Sequence, residues 1–365
     1  MEPLKGLASF YSLNLLTLPG TFINARHGWP FKFSYLPATG DTKMSADQVD
    51  GVHPSDQNIL LQDPMRAWDR ISDAGLYGTW ARGTVEFPNG GHLQGIQRGV
   101  AGDRPYLVLS GSSDTESYFV TLVFDSDKEA ALSEQSAESV HYPTISKDPL
   151  RHAGGIQLIG DILVVGAEDN EGKNHSAVFF YDLSNPRVPK ELKVKVERLG
   201  EPYRSTAGAV GIVKQEDRHI LAVATWDADT IDFYTSNGLP LCDEGCQFNF
   251  MKRWEIAAAD KTEWIDQNWG HYQGLNLFSD MAGNLYAAGF NDLVNADWMD
   301  LYALNLAHTP DKMLVKVGKK RVALTKGSHF RYGGGLWLRS SDELVGYATE
   351  RNVGDQTHLG ELWVS

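Results

Sequence analysis

Residues 152–170 read HAGGIQLIGDILVVGAEDN: a histidine, two glycines, an apolar run, a Gly-Asp turn, a second apolar run, then acidic residues. Two short apolar runs rich in β-branched residues, joined across such a turn, predict a β-hairpin. The pattern occurs five times. HLQGIQRG begins at His92 and leads to PYLVLSGSSD, HAGGIQLI at His152 leads to DILVVGAED, and TAGAVGIV at Thr206 leads to HILAVATWD. HYQGLNLF begins at His271 and leads to NLYAAGFND, and RYGGGLWL at Arg331 leads to ELVGYATER. A third apolar run follows each copy: YFVTLVF (118–124), AVFFYDL (177–183), TIDFYTS (230–236), DLYALNL (300–306) and GELWVS (360–365).

Fourth runs are weaker: ESVHYPTI (138–145), ELKVKVERL (191–199), NFMKRWEIA (249–257) and MLVKVGKKRVAL (313–324). The copy at Arg331 has none before Ser365, but GTWARGTVEF (78–87) stands ahead of the copy at His92 and is expected to supply it. Pairing the two would cover an otherwise open sheet edge. Copies spaced roughly 60 residues apart, each worth one four-stranded antiparallel sheet, call for a repeat architecture with radially arranged sheets. The pattern resembles a β-propeller, at the level of fold and not of a named family. The expected fold is therefore all-β: a five-bladed propeller over 78–365, closed by the strand at 78–87. Six blades, with one made from residues 1–77, is the competing count. Otherwise 1–77 is an N-terminal extension packing on the propeller, with a short helix inside DQNILLQDPMRAWDRISDAG (56–75), capped by Ser55 or Asp56 and broken near Pro64.

The 365 residues are 42% hydrophobic and 22% charged, an ordinary balance for a soluble globular protein. A net charge of −14 opposes nucleic acid or an anionic membrane face as partner, and no apolar run is long enough to predict a membrane span. Residues 6–25, GLASFYSLNLLTLPGTFINA, loosely resemble a secretory signal, but Asn14 and the Leu-Pro-Gly break favour an ordered stretch. LCDEGC (241–246) holds the only two cysteines, Cys242 and Cys246. Either they close a small disulfide loop, which implies an oxidising compartment, or they remain thiols in a cytosolic one. Compartment and oligomeric state stay open.

In a propeller the first strand of each blade lines the axis, so the residues opening the five copies become neighbours. That ring reads His92, His152, Thr206, His271, Arg331. A second ring, six residues beyond the leucine of each second strand, reads Ser113, Asp169, Asp227, Asn291, Glu350, although a one-residue slip would reverse its orientation. Three imidazoles about one axis suit a divalent metal such as Zn, Fe or Cu. Carboxylates could orient them, and Arg331 could hold an anionic group in bidentate fashion. His92, His152, His271 and Arg331 are thus the catalytic candidates, with the three histidines as candidate metal ligands. Asp169, Asp227, Asn291, Glu350 and Trp269 are the substrate-binding candidates, Trp269 through EWIDQNWGH (263–271). Calcium at EDNEGKNH (168–175) is the weaker option, because the loop lacks the EF-hand ligand order.

Two further readings of the histidines stand beside the metal: metal-free acid–base chemistry, and a structural role. The pattern is similar in part to WD-repeat propellers, whose histidine near this point serves a hydrogen-bond network, but the WD dipeptides are absent. Thr206 and Arg331 break the symmetry, which suits a specific site. Gln94, Gln157, Gln273 and Asn276 are expected to fill a wet channel, and GGGLW (333–337) to permit close backbone packing at the axis. The expected function is a soluble propeller enzyme with a His-containing, metal-dependent or metal-free small-molecule site at the channel mouth, its chemistry hydrolysis, elimination or oxygen chemistry. The alternative is a non-enzymatic ligand- or carbohydrate-binding or protein-interaction propeller. Against a multivalent lectin, Trp226, Trp298, Trp337 and Trp363 do not recur at equivalent positions.

Overall fold

Each predicted copy folds as a four-stranded antiparallel meander, and the protein is nearly all β. The structure, a computed structural model, describes residues 54–364 except 128, 133, 134, 136, 294, 295, 325 and 326. Most of the N-terminal extension, and the signal-like stretch within it, lies outside the described residues. Sheet 1 comprises Leu93–Ala101, Arg104–Ser112, Glu116–Phe124 and, sharing one outer edge, Ala137–His141 and Thr144–Lys147. Sheet 2 comprises His152–Ile159, Ile162–Glu168, His175–Asp182 and Lys190–Leu199. Sheet 3 comprises Ala209–Gln215, Arg218–Ala224, Thr230–Ser236 and Phe248–Glu255; one parallel bridge, Ala209 to Gly155, joins it to sheet 2. Sheet 4 comprises Gly274–Ser279, Leu285–Leu293, Ala296–Leu304 and Leu314–Val322.

Sheet 5 comprises His329–Ser340, Glu343–Thr349 and Gln356–Leu362, and its fourth strand comes from the start of the chain. Leu76–Ala81 pairs antiparallel with Gln356–Leu362, from Leu76 opposite Glu361 to Ala81 opposite Gln356. The strand begins and ends earlier than the sequence suggested. Gly83 turns the chain at φ 61°, and the Val85 N–H bonds back to Arg82 O at 3.2 Å, so pairing cannot run on to Phe87.

Apolar residues from facing sheets meet in five clusters. Val108 and Phe119 pack on Ile156 and Val165, Val164 and Phe180 on Ile212 and Leu221, and Phe233 and Trp254 on Leu277 and Tyr302. Phe290 and Leu301 pack on Leu336 and Leu344, and Tyr347 and Leu359 of sheet 5 pack on Ile96 and Leu109 of sheet 1.

The first strands meet closely. A Cβ on Gly155 would stand 2.4 Å from Gln273 O, and one on Gly335 only 2.0 Å from Ile96 O, so glycine is required at both positions. Amide side chains fill the space between these strands. Gln157 Oε1 accepts the N–H groups of Ile212 and Leu277, each at 2.8 Å, and its Nε2 donates to Leu277 O at 2.7 Å. Asn276 Oδ1 accepts from Gln97 Nε2 at 3.0 Å and from the Leu336 N–H at 2.7 Å. Buried amides tie the first strands of all five sheets, each satisfying main-chain groups that apolar side chains would leave unpaired.

Residues 54–62 run across the turns between first and second strands, the end of those strands opposite the candidate ring. Ser55 N–H donates to Asp161 Oδ2, Asn58 Oδ1 accepts the Lys214 N–H, Leu61 N–H donates to Ser279 O and Gln62 N–H to Ser341 O. Asp56 is buried, with Lys214 Nζ at 2.9 Å and His219 Nε2 at 3.4 Å. The short helix is Pro64–Asp69, and its cap is Asp63, whose Oδ1 accepts the Arg66 N–H at 3.0 Å. Pro64 starts this helix instead of breaking it, because the first turn needs no proline N–H. No disulfide joins Cys242 to Cys246; both are thiols, and burial pushes the Cys246 thiol up to about 11.

Candidate functional site

The register of sheet 2 sets His152, the first residue of its strand, directly opposite Glu168. Both are buried. His152 Nδ1 lies 2.9 Å from Glu168 Oε1, off the line of a good hydrogen bond, while Glu168 Oε2 accepts the Ala207 N–H at 2.6 Å. Gln94, on the first strand of sheet 1, reaches across to both imidazoles. Its Nε2 is 2.8 Å from His152 Nε2 and 3.4 Å from His92 Nε2. An amide nitrogen offers only hydrogens, so it faces both Nε2 atoms as a donor, and the ring proton of His92 sits on Nδ1. For His92 that proton points to Leu93 O at 3.2 Å. Burial, then the neighbouring His152, and then Arg351 and Arg331, depress His92 to about 4, leaving a neutral, half-exposed imidazole at neutral pH.

Further groups extend this pair. The rings of His92 and His152 are 5.4 Å apart, His92 is 6.3 Å from Tyr332, and His152 is 6.0 Å from Trp226. Lys173 Nζ stands 4.2 Å above Trp226 and 4.6 Å from Tyr203. Arg351 lies 5.8 Å from the Tyr332 ring, with its carbonyl accepting the Leu93 N–H. Buried Thr206 knits two of the loops together, accepting the Trp226 N–H at 3.0 Å and donating to Tyr203 O at 3.3 Å. Lys173, Tyr203, Asp227 and Ala228 all hold positive φ, between 55° and 66°. Left-handed backbone at non-glycine residues costs of order 1–3 kcal/mol each and gathers at functional sites. Here it gathers in the loops that carry Lys173, Tyr203 and Trp226.

The remaining candidates divide. His271 is exposed, with Asp229 Oδ1 at 3.8 Å, and precedes its strand, which begins at Gly274. Burial, only partly offset by His271, pushes the Asp229 carboxyl up. Arg331 is exposed, with its NH1 3.5 Å from Asp292 Oδ1. Asp227 Oδ1 accepts from Gln273 Nε2 at 2.7 Å. Asp169 shapes its own loop, accepting the Glu171 and Gly172 N–H groups, and Ser113 does the same for Glu116. Asn291 is buried, with Nδ2 3.4 Å from Asp300, and Glu350 is paired with His358 Nδ1. Trp269 packs on Trp254 and Tyr272, ring centroids 4.6 Å away in both cases, so it serves the core between sheets 3 and 4. The second ring is therefore not one surface: strand alternation turns Asn291 inward while Asp227 faces Gln273.

The expected three-histidine metal centre does not form. Among the described residues no group of three or more His, Cys, Asp or Glu is arranged to hold a metal ion. His152 stands buried between Gln94 and Glu168, while His271 is exposed beside Asp229, ahead of a strand that begins only at Gly274, so the three imidazoles do not gather as one donor set. Glu168, Lys173, Tyr203, Tyr332 and Arg351 escaped the sequence reading, and Gln94 was read only as channel filling. Counting outward from the Gly160-Asp161 turn sets Asp169 opposite His152; an irregularity between Ala153 and Ile156 shifts the register by one residue and brings Glu168 there instead.

No family model matches the chain, and no curated protein matches it. Among solved structures it is similar to an α-L-arabinofuranosidase from Podospora anserina in complex with cellotriose, at 8% identity and TM-score 0.44 over 80% of this chain and 98% of that one. It is also similar to the catalytic domain of a Coprinopsis cinerea GH62 α-L-arabinofuranosidase, at 10% identity and TM-score 0.43 over 80% and 98%. A GH43 β-xylosidase/α-arabinofuranosidase from a compost microbial metagenome gives 8% and 0.43 over 77% and 94%. Likeness of this degree bears on neither activity nor substrate. No helix among the described residues is long and apolar enough to cross a membrane.

Proposed function

We propose that the chain is a five-bladed β-propeller whose axial face carries a metal-independent small-molecule site, with the partly exposed His92 imidazole facing the ligand. The five sheets, the pairing of Leu76–Ala81 with Gln356–Leu362, and the apolar cluster between sheets 5 and 1 support five blades closed by the N-terminal strand. Residues 54–75, bonded to turns of sheets 2 to 5, support an N-terminal extension packed on the propeller.

The observation that carries the site is the buried polar group formed by Gln94, His152 and Glu168 behind half-exposed His92. Gln94 and Glu168 set a polar wall behind His92, with Glu168 also holding the Ala207 N–H. Depressed to about 4, His92 is uncharged at neutral pH and presents a neutral imidazole to a ligand.

The test is NMR of the full chain with ¹³C-labelled histidine, titrated with a library of small metabolites. A ligand of the site moves the His92 and His152 resonances and leaves exposed His308 unchanged; in folded His92→Ala the same ligand binds more weakly. A library that never moves His92, or a His92→Ala protein that binds as the wild type does, defeats the reading. Turnover of a bound compound separates an enzyme from a non-enzymatic ligand-binding propeller. That second reading has its own support: His152 is buried between Gln94 and Glu168, which leaves His92 as the only partly exposed imidazole of the pair.

A further inference from the structure

The sequence holds two Asn-Gly pairs, Asn89-Gly90 and Asn237-Gly238, and both asparagines are exposed. An asparagine followed by glycine is able to close on itself: with no Cβ to block the approach, the glycine nitrogen reaches the side-chain carbonyl carbon. Solvent access does not separate the two pairs, but anchoring does. Asn237 Nδ2 donates to Gly245 O at 2.8 Å, and its Oδ1 accepts the N–H groups of Gln247 at 3.3 Å and Leu239 at 3.4 Å. Its own N–H donates to Gln247 O at 3.0 Å. Asn89 forms no side-chain hydrogen bond among the described residues, nor does the Gly90 N–H find an acceptor among them. The Asn89 carbonyl accepts the Asp114 N–H at 3.0 Å.

The fold also keeps this pair in place. Gly90 holds φ 75°, and a Cβ there would stand 2.1 Å from Asp114 Oδ1, so no side chain is accepted next to Asn89. Two residues on is His92, whose N–H donates to Ser112 Oγ at 3.2 Å and whose carbonyl accepts the Ser112 N–H at 2.9 Å. Residues 89–92 are thus tied at both ends to residues 112–114.

We propose that Asn89 is a site of intramolecular deamidation, and that its conversion resets the segment carrying His92. The Gly90 nitrogen gives up its proton to water and bonds to Asn89 Cγ. The side-chain amide leaves as ammonia, and a five-membered succinimide remains. Water then opens the ring at either carbonyl, restoring the Gly90 N–H and giving aspartate or isoaspartate. In isoaspartate the chain runs through the former side chain, one methylene longer, and the carbonyl that took the Asp114 N–H becomes a carboxylate. Either product adds a negative charge one residue from the glycine that the Asp114 carboxylate abuts. The chemistry needs no ligand, so it is independent of the small-molecule reading above.

In the test the full chain is aged in mildly alkaline buffer and followed by peptide mapping and by the His92 resonance of ¹³C-labelled histidine. Asn89 is expected to convert at least about tenfold faster than Asn237, because closure at Asn237 must first break its hydrogen bonds. In urea, where neither is anchored, the two rates should come together. The His92 resonance should move in step with Asn89 conversion and stay fixed in Asn89→Gln, whose longer side chain closes a ring far more slowly. Asn237 converting as fast as Asn89 in the folded chain, or a rate difference that persists in urea, overturns the modification site. Asn89 converting while His92 stays fixed, or His92 moving equally in Asn89→Gln, overturns the link to His92.

Discussion

Gln157→Leu tests whether the axial amides hold the sheets together. Leucine keeps nearly the same volume at this buried position but removes three hydrogen bonds, to Ile212 N, Leu277 N and Leu277 O. Each main-chain group stranded away from water costs about 1–3 kcal/mol, so the expected loss is about 3–6 kcal/mol after partial relaxation. Unfolding entropy near 60 °C is about 2.1 cal/mol/K per residue, so about three hundred ordered residues give roughly 0.6 kcal/mol/K. The midpoint should therefore fall by about 5–10 °C. Gln97→Leu is the control: it removes one bond, to Asn276 Oδ1, which still accepts the Leu336 N–H. That change should cost only about 1 kcal/mol, or about 2 °C. Scanning calorimetry on the two full-length variants compares them directly. A Gln157→Leu midpoint that drops no further than that of Gln97→Leu would refute the claim that these amides carry main-chain groups of neighbouring sheets.

Four further expectations follow from the same contacts. NMR titration should give His92 a midpoint about 4, well below the ordinary 6.5; because its folded pKa is depressed, its stabilising contribution is complete above pH 6.5 and fades as pH falls toward 4, so a flat stability profile across that window would count against it. Glu168→Leu should lose about 1–3 kcal/mol by stranding the Ala207 N–H, while Glu168→Gln, which keeps an acceptor, should lose less; equal denaturant midpoints would contradict this. Trp269→Ala should cost about 3–5 kcal/mol through its packing on Trp254, Tyr272 and Tyr302. Trp226→Ala, at a partly exposed residue of the mouth, should bring the smaller stability loss, and the reverse ranking in calorimetry would undo the division between core and site. Dialysis against EDTA should leave the midpoint unchanged, since among the described residues no group of three or more His, Cys, Asp or Glu is arranged to hold a metal ion; a fall would reinstate a metal.

The five copied segments determined the strands, because alternating β-branched runs broken by glycine and aspartate have few other ways to bury their apolar faces. They also placed His92 and His152 near each other, since repeat-equivalent positions share one geometry. The same logic failed for His271, whose strand starts three residues later, at Gly274, and for the ring from Asp169 to Glu350, where a single residue of slip decides which way a side chain faces. The partners that give the histidines their chemistry were left to the tertiary structure. Glu168 reaches His152 through strand register, Gln94 and Tyr332 reach His92 from sheets 1 and 5, and Lys173 finds Trp226 only where two left-handed loops converge. A sequence encodes local backbone preference residue by residue, whereas hydrogen-bond partners and electric fields depend on distances between segments far apart in the chain. Those distances exist only once the sheets have packed.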